Sequence, residues 1–145
     1  MKKFNILVLI LVSTLLFSCN GKIKKEKPIV ETLTNRIEVI DFHSTHRCMT
    51  CNAIEANTKY TLDTYFPNEL KKESITFQVV NVDEEENYKM AEKFEATGTA
   101  LFINVIVDGK ETSIDLTEFA FMEGNDQEVF STKLKAKIDE ALKKI

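Results

Sequence analysis

Branched and aromatic residues crowd the stretch from Ile37 to Phe42 with only weak alternation, the pattern of a short strand covered on both faces. From Thr50 to Phe66 the period lengthens. Ile54, Leu62, Tyr65 and Phe66 recur at roughly helical spacing, and Pro67-Asn68 ends the run. Ile75 to Val82 reads as a second strand. Asp83-Glu84-Glu85-Glu86 then opens a second helix, because acidic residues suit the positive end of a helix dipole, and its inner face is predicted to be Tyr88, Met90, Ala91 and Phe94. Thr97-Gly98-Thr99 breaks that helix, and Ala100 to Val107 is an apolar strand. Asp108-Gly109 signals a hairpin into Glu111 to Thr117. Phe119, Phe121 and Met122 follow as core beneath a last helix whose stripe is Phe130, Leu134, Ile138, Ala141, Leu142 and Ile145, with Asn125 and Glu128 as its capping box.

The order is β-α-β-α-β-β-α. A crossover helix makes the first strand pair parallel and the tight turn makes the last pair antiparallel, so the expected fold class is α/β, a mixed four-stranded sheet flanked by helices. Residues 36–145 are expected to form this one domain.

The chain's start has a different character. Lys2 and Lys3 precede an apolar run from Ile6 to Phe17, which ends in Leu16-Phe17-Ser18-Cys19. A run this short falls below the roughly 20 residues a spanning helix needs. It resembles a bacterial lipoprotein signal, which implies residues 1–18 as a removed signal peptide, lipidation of Cys19, and residues 19–35 as a polar tether. An uncleaved anchor or ordinary signal cleavage are the alternatives. Two or more acyl chains bind a membrane stably, so the expected location is the cell envelope, lipid-anchored and facing the periplasm or exterior.

The whole sequence has 19 basic and 23 acidic residues. Without Lys2 and Lys3 the balance is more acidic still, which argues against nucleic acid as a partner. Lys22, Lys24, Lys25 and Lys27 cluster after the lipid site as a solvated tether that anionic headgroups would attract.

Chemistry concentrates in one place. In "DFHSTHRCMTCNAIE", His43, His46, Cys48 and Cys51 fall within nine positions. A two-residue gap closes too small a loop to staple a fold, whereas C-x-x-C after the first strand of a β-α-β unit is a redox signal. Cys48 at a helix start is the expected nucleophile, its thiolate favoured by unpaired backbone N–H groups and by Arg47 beside it. Cys51 is the expected resolving thiol. A second reading of the same residues is a zinc or copper(I) site formed by His43, His46, Cys48 and Cys51, in a binding module without turnover. No Gly-rich flavin or nicotinamide signature is present, and no cofactor is expected.

These elements and this motif resemble thioredoxin-like proteins. Thioredoxins carry Asp-Phe-Trp at the end of the strand feeding the active-site helix, and this chain has Asp41-Phe42-His43 with one extra residue before the first cysteine. The resemblance implies that Asp41 is a buried carboxylate able to relay the resolving thiol's proton. It also has departures: Arg47 replaces an aromatic residue, Met49-Thr50 replaces Gly-Pro, and Gly98-Thr99-Ala100 stands where thioredoxins keep a cis-proline that seats substrate and guards against metal. The runs "HSTHRCMTCNAIEANT", "VVNVDEEEN" and "IDLTEFAFM" are similar to a family of small bacterial thioredoxin-like proteins called nitrophenyl compound nitroreductase subunits. That similarity implies an electron-transfer or accessory role. The functional expectation is a membrane-tethered thiol-disulfide oxidoreductase acting on a protein disulfide, dithiol or redox partner subunit, with the direction of electron flow open.

Overall fold

The chain from Arg36 to His43 is a strand, β1, because its side chains find apolar partners on both faces; Ile37, Val39, Ile40 and Phe42 have no exposed surface. The computed structural model describes residues 35–145, and the expectations for the signal, Cys19 and nearly all of the tether lie outside them. β1 pairs in parallel with β2, Ile75–Asn81, and antiparallel with β3, Ala100–Val107, so that Val39 stands between Phe77 and Ile103. β4, Lys110–Asp115, pairs antiparallel with β3 and completes the order β2-β1-β3-β4. Asp108 and Gly109 both have positive φ, at 50° and 77°, which is what a two-residue hairpin turn matching the strand twist requires.

Helices cover both faces. α1, Met49–Tyr65, and the last helix, α5, Gln127–Leu142, pack on one face over Ile37, Val39, Leu101 and Ile103, with Ile54 and Leu62 from α1 and Phe130, Leu134 and Ile138 from α5. The other face is closed by α3, Tyr88–Lys93, and the turn after it. There Phe42, Phe94 and Phe102 form an aromatic cluster with centroids 5.3 to 5.9 Å apart.

α1 ends just before Pro67, as the sequence predicts, and Pro67 opens a further short helix, α2, Pro67–Lys71, at a position where its missing N–H costs nothing. Five expectations need correction. Tyr65 is largely exposed and leaves the stripe of α1 to Ile54 and Leu62. The acidic run forms only a 3₁₀ turn at Glu85–Asn87, and the helix that follows turns Tyr88 outward while burying Ala91. β4 stops at Asp115, whose side chain accepts the Thr117 N–H at 2.8 Å and starts an unforeseen helix, α4, Thr117–Glu123. In α4 only Phe119 of the three expected core residues faces inward, its ring 5.0 Å from that of Phe130, while Phe121 and Met122 are exposed. Finally, Asp126 and not Asn125 caps α5, accepting the Val129 N–H at 3.1 Å.

Among the described residues no helix is long and apolar enough to cross a membrane.

Candidate redox site

β1 runs out at His43, and the loop to α1 is held in place by the end of β2. Asp83 accepts the Thr45 N–H at 2.7 Å, and Asn81 donates to the Thr45 hydroxyl at 3.1 Å. The backbone hydrogen bond from Thr45 keeps the Asp83 carboxyl below the usual carboxylate range. This clamp sets where α1 can begin.

Cys48 is the N-cap of α1 in extended conformation, and its sulfur accepts the Cys51 N–H at 3.1 Å. The sulfur thus occupies the place a capping oxygen would take, against backbone donors that have no other partner. Cys48 is exposed and Cys51 is 7% exposed. The two form a disulfide with a Cα separation of 5.1 Å.

Asp41 lies near the C-terminal end of β1 and has no exposed surface. Among the described residues neither carboxylate oxygen has a hydrogen-bond donor. Burial pushes its pKa up to about 7, against the lowering effect of Arg47; Glu55 raises it further. Arg47 is turned inward, and one terminal nitrogen lies 3.5 Å from Asp41 Oδ2 and 3.4 Å from the Cys51 carbonyl oxygen. The other terminal nitrogen is hydrogen-bonded to Glu55 Oε2.

Here the sequence reading is partly revised. Arg47 is at the site, but its charge is engaged by two carboxylates and is not free for the Cys48 sulfur alone. Glu55, absent from the sequence reading, is a member of the site. It lies one helical turn beyond Cys51 and so on the same face, and that spacing was the only signal available for it.

The histidines are not drawn in. His43 is half-buried and its Nδ1 donates to the Ser44 carbonyl at 2.9 Å, while His46 is exposed. Among the described residues no three His, Cys, Asp or Glu side chains converge as a metal site, so His43, His46, Cys48 and Cys51 are not assembled as ligands in this disulfide form. Gly98, in the segment where thioredoxins keep their proline, faces the active-site loop, with Ser44 Oγ 3.6 Å from where a Cβ would stand. A cleft of about 560 Å³ is lined by residues of the Lys93–Ala100 segment, Ser113 and Asp115. It contains neither cysteine, and Met49, next to Cys48, is 87% exposed.

The strand order and the antiparallel β3 and β4, flanked by helices on both faces, define a thioredoxin-like fold, and the C-x-x-C disulfide lies at the N-terminus of its first helix. Among solved structures, the chain is similar to a Fasciola hepatica thioredoxin at 26% identity, covering 61% of this chain and 76% of that one with a TM-score of 0.39. It is also similar to oxidised mitochondrial thioredoxin 3 of Saccharomyces cerevisiae, at 23% identity over 63% of this chain and 78% of that one, with a TM-score of 0.41. No protein-family model matches the chain, and no curated protein is significantly similar to it.

Proposed function

We propose that the protein is a thiol-disulfide oxidoreductase. The observation that carries this reading is the disulfide between an exposed Cys48 capping α1 and a buried Cys51 one turn along. In the reducing direction, the Cys48 thiolate attacks a partner disulfide, forming a bond to one partner sulfur and releasing the other as a thiolate. The Cys51 N–H, 3.1 Å from the Cys48 sulfur, stabilises the attacking charge. Cys51 then gives its proton to the Asp41 carboxylate and attacks the Cys48 sulfur. The Cys48–Cys51 bond forms as the bond to the partner breaks, and the second partner thiolate leaves. Two electrons have passed to the partner, and the proton on Asp41 goes on to solvent or to that thiolate. Every step is reversible, so the partner's potential sets the direction.

We propose further that the domain works at a membrane surface through acyl chains on Cys19, a reading supported by Lys2, Lys3 and the apolar run before that cysteine. The runs similar to nitrophenyl compound nitroreductase subunits favour a redox subunit as the partner, with the dithiol as its electron donor or accessory.

Trapping tests the main reading. Full-length Cys51→Ser should accumulate a mixed disulfide through Cys48 that a reductant releases and that Cys48→Ser abolishes. If no such adduct forms and the wild-type protein neither reduces nor oxidises a disulfide substrate, the dithiol is not a redox centre.

A further inference from the structure

Arg47 occupies a junction. Its guanidinium lies between β1 and α1, touching Asp41 on one side and the Cys51 carbonyl and Glu55 on the other. The three side chains descend from solvent to core: Glu55 is 32% exposed, Arg47 20% and Asp41 not at all. Among the described residues the buried Arg47 Nε has no partner, and Glu55 and the Cys51 carbonyl supply the contacts that hold the guanidinium from the helix side. A guanidinium keeps its proton at any accessible pH. Arg47 therefore cannot pass a proton itself, and its influence depends on where it is held.

We infer that Glu55 is a positioning residue for proton transfer at the dithiol, holding Arg47 between itself, the Cys51 backbone and Asp41 so that the guanidinium is shared and not given over to Asp41. This rests on the oxidoreductase reading for its purpose, though the geometry stands alone. If Arg47 faced Asp41 with no competing anion, their ion pair would keep the carboxylate charged and make it a weak acceptor of the Cys51 proton. Glu55 takes a share of the guanidinium and adds a negative charge of its own. Asp41 is left able to take up and release a proton near neutral pH. The strands beside Asp41 place Val79 and Leu101 opposite it, and among the charged side chains of the described residues Arg47 and Glu55 are the ones that act on it. The Cys51 thiol, once reduced, is the group whose proton this arrangement handles.

Glu55→Gln separates charge from shape, because the amide oxygen still accepts from Arg47. The full-length protein is labelled with ¹³C at aspartate carboxyls, and the Asp41 resonance, assigned with Asp41→Asn, is followed against pH in wild type, Glu55→Gln and Arg47→Gln. Glu55→Gln should lower the Asp41 midpoint by about one pH unit, and Arg47→Gln should raise it. The pH dependence of disulfide-exchange rate should move in the same direction in each variant. A Glu55→Gln protein that keeps the wild-type midpoint and pH–rate profile, changing only its unfolding midpoint, would show a merely structural residue and overturn the inference. A wild type inactive in exchange at every pH would instead sink the oxidoreductase reading, and the carboxyl titration would still decide the role of Glu55.

Discussion

A carboxylate on a central strand, without exposed surface and without a hydrogen-bond donor, is a charge the fold carries at a cost. Asp41 is such a group, and its pKa of about 7 against an ordinary 3.8 means that the folded protein holds a proton there which the unfolded chain would release. A gap of that size corresponds to on the order of 4 kcal/mol. Asp41→Asn should therefore stabilise the disulfide form by about 2 to 4 kcal/mol at pH 8 and hardly at all near pH 4, measured by urea unfolding. It should also slow attack by Cys51 on the mixed disulfide, since the acceptor for its proton is gone. An Asn variant with wild-type stability at pH 8 would mean that water or Arg47 solvates the ionised carboxylate fully. At this scale the sequence was legible where neighbours in the chain do the work. Cys48 and Cys51 were readable from their spacing, and Asp41 only through the resemblance of Asp41-Phe42-His43 to the strand end of thioredoxins. Glu55 was not, because its partner Arg47 lies eight positions away across a loop-to-helix junction, and no local period connects the two.

Elements were legible in proportion to how much of their surface is amphipathic. α5 buries Phe130, Leu134, Ile138 and Ala141 along one stripe, and helical spacing shows that directly. α4 escaped because the segment after Leu116 sets exposed Phe121 and Met122 beside inward Phe119 and Ala120, so no apolar face stands out. The acidic run misled for another reason: Asn81 and Asn87 side chains hydrogen-bond Glu84 and hold it in extended conformation, which delays the helix. The turn from α4 to α5 is the element that fixes the active-site helix from outside. Asn57 donates to the Gly124 carbonyl at 2.9 Å, and Asn125 donates to the hydroxyl of Thr50, inside the C-x-x-C, at 3.1 Å. A Cβ on Gly124 would lie 2.5 Å from the Ala120 carbonyl oxygen and 2.9 Å from Ile54 Cγ1. Gly124→Ala should cost about 1 to 3 kcal/mol in urea unfolding and lower exchange activity by displacing the start of α1. Gly98→Ala is the contrasting case. Its φ is not positive and the nearest atom is 3.6 Å away, so stability should change by no more than about 0.5 kcal/mol. Equal losses at the two positions would contradict this account of how α1 is seated.

Charge makes the molecule's stability a property of several regions at once. On the α3 face, Asn104 is buried and its amide donates to Glu38 at 2.9 Å and to Glu111 at 2.8 Å, tying β1, β3 and β4 together. Lys93 of α3 also bonds Glu111, and these donors hold that carboxyl below its ordinary 4.5. Asp83, at the other end of the sheet, is lowered from 3.8 by its bond to Thr45. Both therefore contribute stability that is present above their unfolded values and is lost as pH falls through their folded ones. Asp41 acts in the opposite sense. Its contribution is complete below 3.8 and disappears as pH rises toward about 7. The three together should place the disulfide form's maximum of stability near or below about pH 4, on the acid side of the range in which most proteins are most stable. Urea unfolding from about pH 3 to pH 9 reads this directly: stability should decline from the maximum toward neutrality and level off above it. Asp41→Asn should abolish the alkaline decline while leaving the acid one, because Asp83 and Glu111 are untouched. Stability that instead climbed steadily through pH 7 would mean that Asp41 is not buried as a charge, and would remove with it the proton acceptor on which the resolving step depends.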